Sequence, residues 1–162
     1  MGKLRSPQAG ISLLEILVVL VLVSVLVGTV GLSVMNYSTN QVRTSIESLR
    51  KKVQALKEDA ILLGRLYTIT FSNDRYTIYV LNNDNQLVKL QGEDALQSAR
   101  LPEGAEFSGF WLGNEPVLNK PRLIIEPSTP LPSFRIAITD QKQTWWLSNR
   151  PQEGLHIVEQ AG

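Results

Sequence analysis

The chain has 162 residues, enough for one domain with its own core and too few for two independent domains beside an apolar anchor. Its 16 Lys and Arg against 15 Asp and Glu leave a formal charge of +1, spread along the chain, which provides no basic surface for nucleic acid or anionic lipid. The absence of cysteine excludes a disulfide framework, a thiolate metal site, a cysteine nucleophile and a lipid-modified cysteine, so stability outside the cytoplasm would rest on packing.

From the N-terminus, a short basic segment, MGKLRSPQAG, precedes the main concentration of hydrophobicity. No charged residue occurs between Ile16 and Val42, and ILVVLVLVSVLV is almost unbroken aliphatic. As a helix this stretch is roughly 40 Å long, enough for a hydrocarbon core of about 30 Å, and we expect a membrane span. Its β-branched residues do not oppose a helix, because in lipid the backbone polar groups must be satisfied within the segment. Gly28, Gly31, Ser24 and Ser33 allow close helix approach. Glu15 stands at the start of this apolar run. A carboxylate inside a bilayer costs on the order of a few kcal/mol, so it needs a partner or a function, and a cleavable secretory signal would not normally carry it.

A leader ending in Gly10, followed by ISLLEILVVLVLVSVLVG, resembles the processing site of type IV prepilins and type II secretion pseudopilins. The resemblance implies cleavage between Gly10 and Ile11 by a prepilin peptidase, N-methylation of Ile11, and an assembly role for Glu15. Ile11 departs from the pattern, since the family usually carries Phe there. A small residue at Gly10 suits approach by an intramembrane protease. Glu15 would neutralise the N-terminal ammonium of a neighbouring subunit's Ile11 and so set axial register. The implied organisation is a cleaved leader at 1–10, a transmembrane and filament-core helix at 11–38, and a periplasmic domain at 39–162. Basic residues flank both ends of the apolar run, so charge does not orient it; the resemblance places the leader in the cytoplasm. Losing Lys3 and Arg5 with the leader would turn the net charge from +1 to −1.

Beyond the apolar run, Ile46, Leu49, Val53, Leu56, Ala60 and Leu63 recur at spacings of three and four, an apolar stripe on a continuing helix. Glu47 and Lys51 form an i,i+4 pair on another face. Gly64 is expected to cap a helix running from about Ser12 to Leu63, of which 39–63 belongs to the periplasmic domain.

The period then changes to two. LYTITF from Leu66, a turn at Ser72 to Arg75 and YTIYVL from Tyr76 predict a β-hairpin. Further strands are expected at Gln86 to Leu90, Glu106 to Phe110, Arg122 to Glu126, Phe134 to Thr139, Thr144 to Ser148 and Leu155 to Glu159. The Pro- and Gly-rich segments GEDALQSARLPEG, GNEPVLNKP, PSTPLPS and NRPQEG read as loops. The fold class expected is α+β: a long helix packed on antiparallel sheet within 65–160.

Little in the chain points to catalysis. His156 is the single histidine and has no accompanying Ser-x-Gly elbow, HExxH or phosphate-binding glycine loop. Asn82, Asn83, Asp84 and Asn85 lack the alternating acids of a calcium loop and read as a hairpin turn. No cofactor or metal is expected. Trp145 and Trp146 are adjacent in a strand and point to opposite faces, one into the core. The other, with Trp111 and Phe110, is a candidate aromatic anchor for a partner subunit.

AILLGRLYTITFSNDRYTIY, LPEGAEF, LIIEPSTPLPSFRIAI and TWWLSNRPQEGLHIV follow the order of the H-type minor pseudopilins, the GspH/FimT family, which this chain resembles. The resemblance implies a non-enzymatic subunit of the periplasmic pseudopilus of a type II secretion system, supporting export of folded proteins across the outer membrane. Implied partners are the prepilin peptidase, other major and minor pseudopilins, and the inner-membrane assembly platform. The implied location is the bacterial inner membrane, single-pass, with the C-terminal domain in the periplasm. A minor pilin of a type IV pilus, serving motility or adhesion, is the alternative on the same scaffold. DNA uptake is disfavoured, because nine basic residues face eleven acidic ones after Gly64.

Overall fold

The computed structural model describes residues 13–91, 96–140 and 142–161, with the backbone alone for 25–40 and 161. The chain divides into two units between Tyr37 and Ser38. One helix, α1, runs Leu13–Leu63 and contributes to both. Ser12, where the sequence reading begins the helix, lies outside the described residues. Gly64 follows α1 at φ +64°, the left-handed conformation that ends a helix at little cost for glycine.

In the second unit, the three-and-four spacing lays one face of α1 into the core: Ile46, Leu49, Val53, Leu56 and Ala60 are each 0% exposed, and Val42 extends the stripe at 1%. Leu63, expected to close that stripe, is instead 54% exposed. It borders an open groove with Leu66, Val80, Leu81 and Pro127, and Ile61, Leu62 and Leu63 after the buried Ala60 are all exposed.

Ten strands follow: β1 Tyr67–Ser72, β2 Arg75–Leu81, β3 Leu87–Lys89, β4 Ala99–Arg100, β5 Glu106–Leu112, β6 Glu115–Pro116, β7 Arg122–Ile125, β8 Phe134–Thr139, β9 Gln143–Arg150 and β10 Gly154–Ala161. The strands sort into two antiparallel sheets. The first has the order β3-β2-β1-β7, with β4 also pairing β2; the second has the order β10-β9-β8-β5-β6. The chain passes between the sheets three times, from β4 to β5, from β6 to β7 and from β7 to β8; the last passage is the loop from Glu126 to Ser133, where Pro127, Pro130 and Pro132 lack the N–H needed to continue a ladder.

The α+β architecture expected from the sequence is therefore present. Two of its loops hold short strands: β4 lies within GEDALQSARLPEG and β6 within GNEPVLNKP. Each has two residues, too short to display a period, and Pro116 is tolerated because β6 is an edge strand.

The β1–β2 hairpin closes at the Ser72–Arg75 pair around Asn73-Asp74. The turn is pinned from outside its own sheet: Leu101 N donates to Asp74 O at 2.7 Å and Phe107 N donates to Asn73 O at 2.8 Å. Above it, Phe71 stacks on Phe110 at 5.4 Å and meets Phe107 edge-on at 5.2 Å. One apolar core joins the helical stripe to Ile69, Ile78, Leu123 and Ile125 of the first sheet and Phe134, Ile136, Ile138, Trp145 and Leu147 of the second.

Polar side chains tie α1 to the connections around the sheets. Lys57 Nζ donates to the carbonyls of Glu126 at 2.7 Å and Thr129 at 2.6 Å, anchoring the proline-rich crossover. Lys52 Nζ donates to Gln97 O at 2.7 Å and lies 5.3 Å from the Tyr76 ring centroid, and burial lowers its pKa. The Tyr67 hydroxyl donates to the Asp59 carboxylate. Burial first, then that hydrogen bond and the negative charge of Asp59, push the Tyr67 pKa up to about 12.

Candidate functional site

The first candidate surface is the start of α1. Gly10 and Ile11 lie outside the described residues. Glu15 occupies the first turn of α1, where the unpaired N–H groups and the helix dipole favour an acid. Around it, every large apolar side chain from Leu13 to Val23 is exposed, from 47% at Val18 to 82% at Leu13. A helix apolar on all sides gains nothing from water, so its natural surroundings are lipid or other apolar helices. Ser24 fits such surroundings, because its Oγ donates to Leu20 O at 2.7 Å and is satisfied within the helix. Among the described residues no helix is long and apolar enough to cross a membrane. The uncharged run of sequence continues from Ser24 to Val42, and most of that continuation lies where only the backbone is described.

The second candidate surface is the outer face of the second sheet. Strand alternation separates the aromatic residues. Trp145 enters the core at 1% exposure, whereas Trp146 is half-buried on the opposite face, 5.3 Å from the Trp111 ring. Phe110 does not join them; it is a core residue at 4% exposure, because β5 turns it inward and its neighbour Trp111 outward. Trp111 thus sits in strand β5, which runs two residues beyond the strand end expected at Phe110. Its ring lies over Gly109, where a Cβ would come 2.2 Å from the indole, so the close approach requires glycine.

The sequence reading did not single out Arg135, which completes this cluster. Its guanidinium lies 5.5 Å from the Trp111 ring and 6.0 Å from the Trp146 ring. Trp111 and Arg135 are cross-strand partners, as are Ala137 and Trp146. The available signal was the alternation in FRIAIT, which places Arg135 opposite the buried Phe134 and Ile136. Arg135 also lines a groove of about 460 Å³ with Asn114, Arg150 and Glu153.

The remaining polar candidates have local structural partners. His156 Nδ1 lies 3.0 Å from Gly154 O and its Nε2 lies 3.2 Å from Glu153 Oε2, so both ring nitrogens engage the β9–β10 turn. Asn82 Oδ1 accepts from the backbone N–H groups of Asp84 at 3.0 Å and Gln86 at 2.8 Å, forming the turn between β2 and β3. Among the described residues no group of three or more His, Asp or Glu is placed to hold a metal ion.

Residues 5–31 match the prokaryotic N-terminal methylation motif. The chain is 30% identical over 147 residues to the type II secretion system protein H of Pseudomonas aeruginosa, covering 82% of this chain and 83% of that protein. Its fold matches two structures of the minor pseudopilin EpsH from the type II secretion system of Vibrio cholerae. One has a TM-score of 0.60 at 23% identity, covering 73% of this chain and 96% of the other. The second has a TM-score of 0.62 at 21% identity, covering 76% and 96%. These relatives are secretion-system proteins, so the type IV pilin alternative is not favoured. A methylation motif at the head of α1, a two-sheet domain of the EpsH fold and 30% identity over most of both chains agree: this protein belongs to the type II secretion system protein H family.

Proposed function

We propose that the chain acts as a structural subunit of the pseudopilus, processed between Gly10 and Ile11 by a prepilin peptidase, methylated at Ile11, and held in the inner membrane by the 11–38 segment until assembly. The 39–162 domain then faces the periplasm. The carrying observation is the exposed apolar surface from Leu13 to Val23, which surrounds Glu15 within the matched methylation motif. Such a surface is stable in lipid before assembly and against neighbouring helices after it.

Glu15 would supply the polar specificity that an all-apolar interface lacks. In a low-dielectric environment its carboxylate pairs with the N-terminal ammonium of an adjacent subunit, and the pair fixes the axial register of the filament. Subunit addition is driven through the assembly platform, and the subunit's contribution is mechanical. The relatives are structural proteins, which supports this non-catalytic reading.

The test is deletion of the chain in its own host, with export of secreted proteins and surface pili scored in the same cells. Lost export with intact pili is the expected result. Intact export with lost pili would transfer the subunit to a pilus system.

A further inference from the structure

Resting on the pseudopilin reading, we propose that the groove between the Gly113-Asn114 turn and the β9–β10 turn is a docking site for an acidic side chain of a different pseudopilin, anchored by Arg135. Arg135 stands where the groove meets the Trp111–Trp146 pair. Its guanidinium carbon lies over both indole rings, 5.5 Å and 6.0 Å from their centroids, and a guanidinium held beside aromatic rings keeps N–H donors for a carboxylate. Among the described residues Arg135 has no ion-pair partner, in contrast to Arg150, whose Nη1 lies 3.1 Å from Glu153 Oε1 within the β9–β10 turn that lines the same groove.

The groove therefore holds two guanidinium groups and one carboxylate, and the carboxylate is already bound by Arg150. That leaves an excess positive charge fixed against an aromatic wall. A partner carboxylate can pair with the Arg135 guanidinium in a bidentate geometry, and the half-buried indoles beside it supply apolar contact that excludes water around the pair. A nucleic acid would need a continuous basic stripe, whereas acidic residues outnumber basic ones after Gly64.

The test uses the full-length chain in its host membrane, with a photo-crosslinking amino acid in place of Asn114 on the groove rim. The expected capture is a segment of another pseudopilin that contains Asp or Glu. Arg135→Glu should reduce that crosslink at least about tenfold, Arg135→Lys should reduce it less, and reversing the captured acid to Lys should restore it with Arg135→Glu. Should Arg135→Glu fail to accumulate, Arg135→Gln serves in its place.

A crosslink unchanged by either variant, capture of a segment without an acid, or capture only of a second copy of this chain would overturn the proposal. Normal export from the deletion strain would instead overturn the broader pseudopilin reading. Export that needs the chain but tolerates Arg135→Glu, with an unchanged crosslink, would overturn only the groove.

Discussion

Single side chains here take their roles from what surrounds them. Glu15 sits among apolar side chains that are all exposed between Leu13 and Val23, and the role proposed for it is pairing with a neighbouring subunit. Glu15→Val should leave folding and leader cleavage unchanged and reduce incorporation into filaments; normal filament incorporation, measured by crosslinking in cells, would remove the register role. Gly109 is constrained by contact, since the Trp111 ring occupies the space of a Cβ. Gly109→Ala should displace that ring and cost about 1–3 kcal/mol, visible as a shift in tryptophan emission and in the unfolding midpoint. Tyr67 and Tyr76 both have pKa values raised to about 12, chiefly by burial. A raised folded-state pKa keeps its stability contribution intact below the unfolded value of about 10 and loses it as pH climbs through 12. Denaturant midpoints should therefore be insensitive to these two groups up to about pH 9.5 and fall between pH 10 and 12, and Tyr67→Phe should weaken that fall.

At the scale of elements, α1 joins the domain through one stripe of side chains and through lysines that reach the loops. Leu49 is fully buried in the core cluster that also holds residues of both sheets, and Leu49→Ala should cost roughly 2–5 kcal/mol by chemical denaturation. Lys57 holds the crossover through the Glu126 and Thr129 carbonyls. Lys57→Met keeps most of the aliphatic stem but removes these donors; it should cost about 1–3 kcal/mol and raise hydrogen exchange in the Glu126 to Ser133 loop before the sheets are affected. Equal exchange in that loop would show that the prolines alone hold it. The hairpins were legible element by element because alternating apolar residues and turn residues act over short distances. The two-residue strands β4 and β6 were not, since their positions are imposed by the strands they join.

For the whole molecule, the proposed function makes processing and assembly separate requirements. Replacing Gly10 by a bulky residue should leave the leader attached, and a normal N-terminal mass for that variant would refute the proposed cleavage. The family role assigned by the relatives predicts that a correctly folded but unprocessed chain fails to support export. That outcome can be separated from misfolding by protease resistance of the domain. The groove at Arg135 belongs to a later event, contact with another subunit, and its variants should be processed normally while losing partner capture.

The sequence alone determined the prepilin-like start, the helical stripe from Ile46 to Ala60, the succession of the longer strands and the separation of Trp145 from Trp146, because each depends on local periodicity or on a motif in register. Only the tertiary structure decided that Leu63 borders an open groove, that Phe110 stacks within the core, and that the strands divide into two sheets. It also brought Trp111, Arg135 and Trp146 together from three strands, β5, β8 and β9. The physical reason is range: periodicity tells which way a side chain points on its own strand, whereas pairing order determines which distant side chain lies beside it.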